Sequence, residues 1–324
     1  MTVSECAKLL GSKDGILLLT HKNPDGDTVM SAAALCRALR RKNKKAYLFR
    51  NTKITPKMLP FVDKLFAPES FVPKYVVSVD IATENLIPTG FDGKVDLAID
   101  HHPSNSHFAS AELIDAERSA CGEIVQKLIV ALTGKLTKTE ATLLYIALTT
   151  DTGAFQYANT DEQTFLSAAE LLHAGADAHA VMLHFFRKTS LARLRLEGMI
   201  YSGLHVYHDG KLVVAPVTLE MMRTAEATED DCDDLAGLSG RAENALMNVT
   251  IRELEDGSCK ISVRSAPGVS SLAVCSAFGG GGHELASGCT IQAGPEKAEK
   301  SRKSLTRMRC RTESRWPSVT DVNW

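Results

Sequence analysis

Ile16-Leu-Leu-Leu-Thr20-His21-Lys-Asn-Pro-Asp25-Gly-Asp27 is the stretch from which the architecture of this chain can be read. Its unbroken aliphatic run, too short for a helix and without polar alternation, predicts a strand buried on both faces. Pro24 and Gly26 then interrupt the run, and a helical pattern follows over Ser31 to Arg41. The polar residues of the break, His21, Asp25 and Asp27, therefore sit just beyond the carboxyl end of a core strand.

The same arrangement recurs downstream. Ala46-Tyr-Leu-Phe49, Tyr75-Val-Val-Ser-Val79 and Asp96-Leu-Ala-Ile99 read as further strands; Asp80 ends the second of these and Asp100-His101-His102 the third. Helical patterns then dominate over Ser119 to Thr133, Thr137 to Thr149 and Asp161 to Ala174, the last closed by Gly175. Asp151 follows the middle one, in Thr149-Thr-Asp151-Thr-Gly153-Ala-Phe155. Strands alternating with helices, with runs too continuous for a one-sided sheet, predict an α/β fold with a parallel sheet covered on both faces.

Loops at the carboxyl ends of parallel strands converge on one crevice, so these four separated segments are expected to build a single site. Carboxylates with imidazoles and no thiolate form a donor set suited to manganese, magnesium or iron more than to structural zinc. Four Asp and two or three His exceed what one ion needs, and a carboxylate can bridge two ions about 3.5 to 4 Å apart.

Each fragment taken alone also has a plainer explanation. Pro24-Asp25-Gly26-Asp27 reads more simply as a turn with Asp27 capping the helix that begins near Thr28, and Asp80 as another cap. Adjacent histidines after a strand resist that treatment, since a buried imidazole pair needs partners and an exposed pair does nothing for the fold. The coincidence of all four segments after core elements favours a site.

A length of 324 residues, with 44% hydrophobic and 23% charged, allows two packed domains. After a connecting helix over Leu191 to Gly203 the texture shifts to shorter β-like pieces: His205 to His208, Leu212 to Val217, Ala245 to Glu253 and Cys259 to Arg264. The expected division is 1–188, a connecting helix 189–203, a smaller α/β domain 204–294 and a basic tail 295–324. No run approaches the roughly 18 to 20 apolar residues of a membrane span, and Met1 to Gly11 lacks a secretory pattern, so a cytoplasmic protein is expected.

The eight cysteines form no C-x-x-C pair and read as reduced, structural thiols. A net charge of −2 argues against a broad basic face for long duplex nucleic acid. The acidic stretch Glu226 to Asp234 has no His and reads as a solvated loop.

In combination, His21-x-x-x-Asp25-x-Asp27, Asp80, Asp100-His101-His102-Pro-Ser-Asn105 and Asp151-Thr-Gly-Ala-Phe155 resemble the four successive motifs of the DHH superfamily of phosphoesterases. The second half resembles the DHH-associated domain through Lys260-Ile-Ser-Val-Arg264-Ser265 and Phe278-Gly279-Gly280-Gly281-Gly282-His283-Glu-Leu-Ala-Ser287-Gly288. The likeness spans about residues 5 to 294 and is greatest to the bacterial nanoRNase and pAp phosphatase group. That group shortens RNAs of two to five nucleotides and dephosphorylates 3′-phosphoadenosine 5′-phosphate. Met30 departs from the pattern, standing where the superfamily usually carries glycine before Ser31.

The resemblance implies a manganese pair, with magnesium as a substitute. One ion would be held by His21, Asp25 and Asp80 and the other by Asp27, Asp80, His101 and Asp151. It further implies that His102 meets the scissile phosphate or assists proton transfer, and that Asp100 orients the imidazoles. Lys260, Arg264, the backbone of Gly280, Gly281 and Gly282, His283 and Ser287 would handle the non-reacting phosphate. Short RNA or a nucleoside bisphosphate is then the expected substrate, and a homodimer is allowed by analogy alone. Rival readings are a cyclic or linear dinucleotide phosphodiesterase and, from another class, a non-catalytic nucleotide-binding regulator.

Overall fold

A computed structural model of the chain describes residues 1–232 and 235–300. The interpretation of the tail beyond Lys300, and Cys310 with it, lies outside those residues. Packing divides the chain into two compact units, Met1–Lys188 and Thr189 onward.

In the first unit, α1 (Val3–Ser12) leads into β1 (Ile16–Leu19), α2 (Gly26–Arg41), β2 (Ala46–Leu48), α3 (Leu59–Val62), β3 (Tyr75–Val79), β4 (Leu97–Asp100) and β5 (Ala111–Ile114). Four longer or shorter helices follow: α4 (Cys121–Thr133), α5 (Lys138–Asp151), α6 (Glu162–His173) and α7 (Ala178–Met182). The five strands form one parallel sheet in the order β2-β1-β3-β4-β5. β1 pairs with β3 from Ile16↔Tyr75 to Leu19↔Ser78, so the two strands end side by side.

This order places the topological switch between β1 and β3: the chain leaves β1 for β2 on one side and then crosses back to β3 on the other. At such a point the loops after the two central strands separate and leave a crevice at the carboxyl edge. The His21 to Asp27 loop and Asp80 sit there.

The central helix, α2, is buried on every side along most of its length, the consecutive Ala32, Ala33, Ala34, Leu35 and Cys36 all lying in the core between the sheet and α4 and α5. It begins at Gly26, one and a half turns earlier than the apolar pattern indicates. Gly26 is required there: a Cβ would run into the Thr150 side chain of α5. Met30, the departure noted above, is fully buried in the core beneath this helix.

In the second unit α8 (Leu191–Ser202) packs on β7 and α9 through Leu196 and Ile200, next to Ala215, Val217 and Met222. Its strands β6 (His205–Tyr207), β7 (Leu212–Val217), β8 (Met247–Glu253), β9 (Cys259–Ser265), β10 (Gly281–His283) and β11 (Ala286–Ile291) form a mixed sheet in the order β10-β11-β9-β8-β7-β6. Only β7 and β8 run parallel in it. The helices are α9 (Leu219–Ala225), α10 (Ser271–Ser276) and α11 (Pro295–Lys300). Among the described residues no helix is long and apolar enough to cross a membrane, and the seven described cysteines are free and buried.

The candidate metal centre

All six sequence-derived donor residues and the second histidine of the triplet lie at the carboxyl edge of the first sheet, delivered by different elements. Asp25 caps α2, its side chain accepting from Thr28 N at 3.2 Å, while Asp27 lies inside the first turn. This reverses the plainer explanation, in which Asp27 was the cap. Asp80 follows β3 with φ +60, a left-handed conformation costly for a residue with a side chain. Asp100 ends β4, and Asp151 ends α5.

The donor atoms converge. His101 Nε2 lies 3.4 Å from Asp80 Oδ1, 3.6 Å from Asp151 Oδ2 and 4.0 Å from Asp27 Oδ2. His21 Nε2 lies 3.4 Å from Asp25 Oδ2, and His102 Nδ1 3.5 Å from Asp80 Oδ1. Three triplets have donors mutually within 4.8 Å: His21/Asp25/Asp80, Asp27/His101/Asp151 and Asp80/His101/His102. Asp80 belongs to two of them, which is the position a bridging carboxylate must occupy.

Burial makes this cluster expensive without a cation. Asp27 and Asp80 are 1% and 3% exposed. Burial pushes both carboxyls well above the usual range, and the neighbouring carboxylates push them further: Asp151 and Asp25 on Asp27, Asp27 and Asp25 on Asp80. Asp27 is compensated by three donors: Cys121 N at 2.6 Å, Gly122 N at 2.9 Å and Ser31 Oγ at 2.8 Å. Asp80 Oδ1 is buried without any hydrogen bond. A carboxylate oxygen orphaned in that way costs several kcal/mol unless a cation meets it, so the donor set fits a divalent ion on physical grounds.

The two histidines of the triplet are held differently. His101 Nδ1 lies 3.0 Å from the Arg118 carbonyl oxygen, which fixes it as the N–H nitrogen and turns Nε2 toward the carboxylates. His102 Nδ1 lies 2.8 Å from Asp100 Oδ1, leaving Nε2 as its outward nitrogen. That bond raises the His102 pKa, outweighing burial, which lowers it. Burial alone would raise Asp100, yet its bonds to His102 and Asn105 outweigh it and hold the carboxyl low. Asn105 Nδ2 donates to Asp100 Oδ2 at 2.6 Å. Asp100 thus orients the ring of His102 but reaches only the backbone N–H of His101, at 2.9 Å.

Several supporting groups were not foreseen from sequence. Thr28 Oγ1 donates to Val79 O at 2.7 Å and stands 3.3 Å from His21 N, tying the loops after β1 and β3 together. Asn51, just past β2, donates to His21 O at 2.9 Å. Their positions after strand ends were the available signal; the Arg118 carbonyl carried none, since every residue has one.

In the second unit, Lys260 and Arg264 occupy the exposed face of β9, opposite the buried Ile261 and Val263. The glycine run enters β10 as an ordered hairpin with β11, pairing Gly282 with Ser287 and His283 with Ala286. Gly280 is pressed so close to Gly288 O and Cys289 that a Cβ cannot be placed there. Ser287 is buried and its hydroxyl donates to His283 O at 2.7 Å, clasping the hairpin. Within the described part of the acidic stretch, Glu226 pairs with Arg195 and Glu229 with Arg252.

Comparison with known proteins follows the same division. The profile of the DHH family, N-terminal domain, matches residues 15–148, and that of the DHHA1 domain matches 209–308. The chain is 32% identical to the bifunctional oligoribonuclease and PAP phosphatase NrnA of Thermus thermophilus, over 93% of this chain and 94% of that protein. It is 28% identical to the protein of the same name from Mycoplasma genitalium, over 90% and 92%. Among solved structures, an exopolyphosphatase-related protein from Bacteroides fragilis superposes with a TM-score of 0.80 at 24% identity, covering 94% of this chain and 95% of that one, and so shares the fold.

Proposed function

The chain belongs to the DHH family, and on that premise we propose that it hydrolyses phosphate esters of short nucleotides: RNAs of two to five residues and 3′-phosphoadenosine 5′-phosphate. The observation that carries this reading is the buried, unbonded Oδ1 of Asp80 at the junction of two donor triplets. The similarity to NrnA proteins supports the choice of substrates.

His21, Asp25 and Asp80 would hold one cation, and Asp27, Asp80, His101 and Asp151 a second. Oxygen and imidazole donors without thiolates favour manganese, with magnesium as its substitute. When bound, such a pair lowers the pKa of a shared water and polarises the phosphoryl oxygens. The protein's own part is placement. Thr28 and Asn51 keep the His21 loop in register, and the Arg118 carbonyl keeps His101 in the tautomer a ligand needs. His102, its Nδ1 occupied by Asp100, would offer Nε2–H to a phosphoryl or leaving oxygen, the positively charged form being favoured by Asp100. Lys260, Arg264, the Gly280 to Gly282 backbone and His283 would receive a non-reacting phosphate, with Ser287 acting on the hairpin that carries them.

The test is a panel with manganese comparing 3′-phosphoadenosine 5′-phosphate, RNAs of two to five nucleotides, long RNA, cyclic dinucleotides and pyrophosphate, for wild type and Asp80→Ala. Turnover of the first two classes, lost in the variant, is expected. Equal rates on long RNA and dinucleotides, or a preference for pyrophosphate, would overturn the assignment. Binding without turnover of any ester would instead favour a regulator.

A further inference from the structure

The turn after Asp151 contains three successive left-handed residues, Gly153, Ala154 and Phe155, with φ of +55, +57 and +67. Only one of them is glycine, so the conformation is costly and persists only because its surroundings impose it. Ala154 N bonds to Thr149 O at 2.7 Å, and Gln156 N and Tyr157 N both bond to Thr152 O, at 2.9 and 3.0 Å. Asn159 Nδ2 donates to Asp151 O at 3.2 Å, and Phe155 packs between the buried Tyr145 and the exposed Phe165, ring centroids 6.2 and 5.3 Å away.

What this winding achieves is the position of one ring. Phe155 is turned into the protein while Tyr157 is laid over the Cα of Gly153, so closely that a methyl group there would run into the ring. One face of Tyr157 is therefore covered by backbone, and the residue is still 57% exposed. It stands over the residue two places beyond Asp151, whose carboxylate lies 3.6 Å from His101 Nε2. A nucleotide base is separated from its phosphate by a single ribose, so an aromatic surface beside the phosphate-handling cluster is where a base can be received.

We propose that Tyr157 is a stacking platform for the base next to the scissile phosphate, selecting nucleoside esters over phosphate esters that lack a base. The assignment rests on the phosphoesterase reading above. Every base presents a π-face, so such a platform favours nucleotides as a class without distinguishing among them. The competing role is purely structural, with Tyr157 clasping Gly153 and meeting no substrate.

The experiment compares adenosine 3′,5′-bisphosphate with ribose 3′,5′-bisphosphate for the wild type and for Tyr157→Ala, Tyr157→Leu, Tyr157→Phe and Tyr157→Trp. In the Ala and Leu variants the kcat/KM preference for the adenosine ester should fall about ten- to a hundred-fold, through KM. Phe and Trp should keep it. Leu fills the space over Gly153 without a π-face, so it separates stacking from clasping should the Ala variant fail to fold. An unaltered preference in folded Leu or Ala variants, or a Phe variant as impaired as Leu, overturns the proposal. A wild type that hydrolyses both esters equally sinks the Tyr157 assignment alone. A wild type that hydrolyses neither ester sinks the phosphoesterase reading and the assignment with it.

Discussion

The backbone N–H of Cys121 donates to Asp27 Oδ2 at 2.6 Å, so the first residue of α4 is joined to the first turn of α2 at the candidate metal centre. Gly122 N adds a second bond to the other oxygen, and the amino terminus of α4 thereby compensates a carboxylate that is removed from water. Asp80, equally buried, has no such support on Oδ1. The two aspartates should therefore answer oppositely to neutralisation. Asp80→Asn should raise the melting temperature of the metal-free protein while removing turnover, because it replaces a buried acid crowded by neighbouring carboxylates with an amide that cannot ionise. Asp27→Asn should lower it, destabilising the fold by about 1 to 3 kcal/mol, since an amide must turn a donor toward one of the two N–H groups. Thermal unfolding in a chelator reads both; a fall for Asp80→Asn would contradict the account.

Metal affinity and turnover should separate at the two histidines. His101→Ala removes Nε2 from the donor cluster and should weaken divalent-ion binding, measured by calorimetric titration. His102→Ala should leave affinity within a few-fold yet reduce kcat by about 10² to 10⁴, the range for a lost proton-transfer partner. Equal effects of the two substitutions on both quantities would remove the distinction drawn from their Nδ1 partners.

Gly26→Ala should impair the site without touching a donor. The new Cβ meets the Thr150 side chain, forcing α2 and the Asp25 to Asp27 segment outward. Thr150→Ala in the same chain removes Oγ1 and Cγ2, two of the three colliding atoms, and leaves only the Cβ at 2.7 Å, so it relieves the collision in part. Metal affinity in the double variant should therefore exceed that of Gly26→Ala alone, a coupling that a double-mutant cycle reads directly. Additive losses would place the defect elsewhere.

Burial pushes the thiols of Cys6, Cys36 and Cys275 up to about 12. At pH 8 they should be inert to a disulfide reagent such as 5,5′-dithiobis-(2-nitrobenzoic acid) until the protein unfolds, when they react at once. Their folded values lie above the unfolded value of about 9.0, so the folded state retains protons that the unfolded state releases. The associated stability is whole below pH 9 and is lost as pH rises from 9 through 12. Denaturation midpoints that hold constant over that window would show these groups to be solvated.

Much of the first unit could be read because its core strands are continuous apolar runs that have no other use. What escaped were elements whose residues do double duty. β5 is short and half-exposed, with Glu112 in its centre, so neither alternation nor continuity marks it. α1 carries a legible signal, the capping box of Thr2 and Glu5, in a segment otherwise marked only by the absence of a secretory pattern. The early start of α2 was hidden because Gly26 and Asp27 are poor helix formers, retained there by the close approach of Thr150 to Gly26 and by the bonds of Asp27 to Ser31, Cys121 and Gly122.

The residue sequence by itself determined the kind of chemistry: carboxylates and imidazoles at the ends of core strands, in an order specific enough to identify a family. Tertiary structure alone decided how those groups are aimed. The Arg118 carbonyl that turns His101, the α4 amides that hold Asp27, and the lack of a hydrogen bond to Asp80 Oδ1 are matters of backbone position. Every residue carries the same N–H and C=O, so a string of side chains bears no mark of which of them will meet a given atom until strand order and helix packing have brought distant segments together.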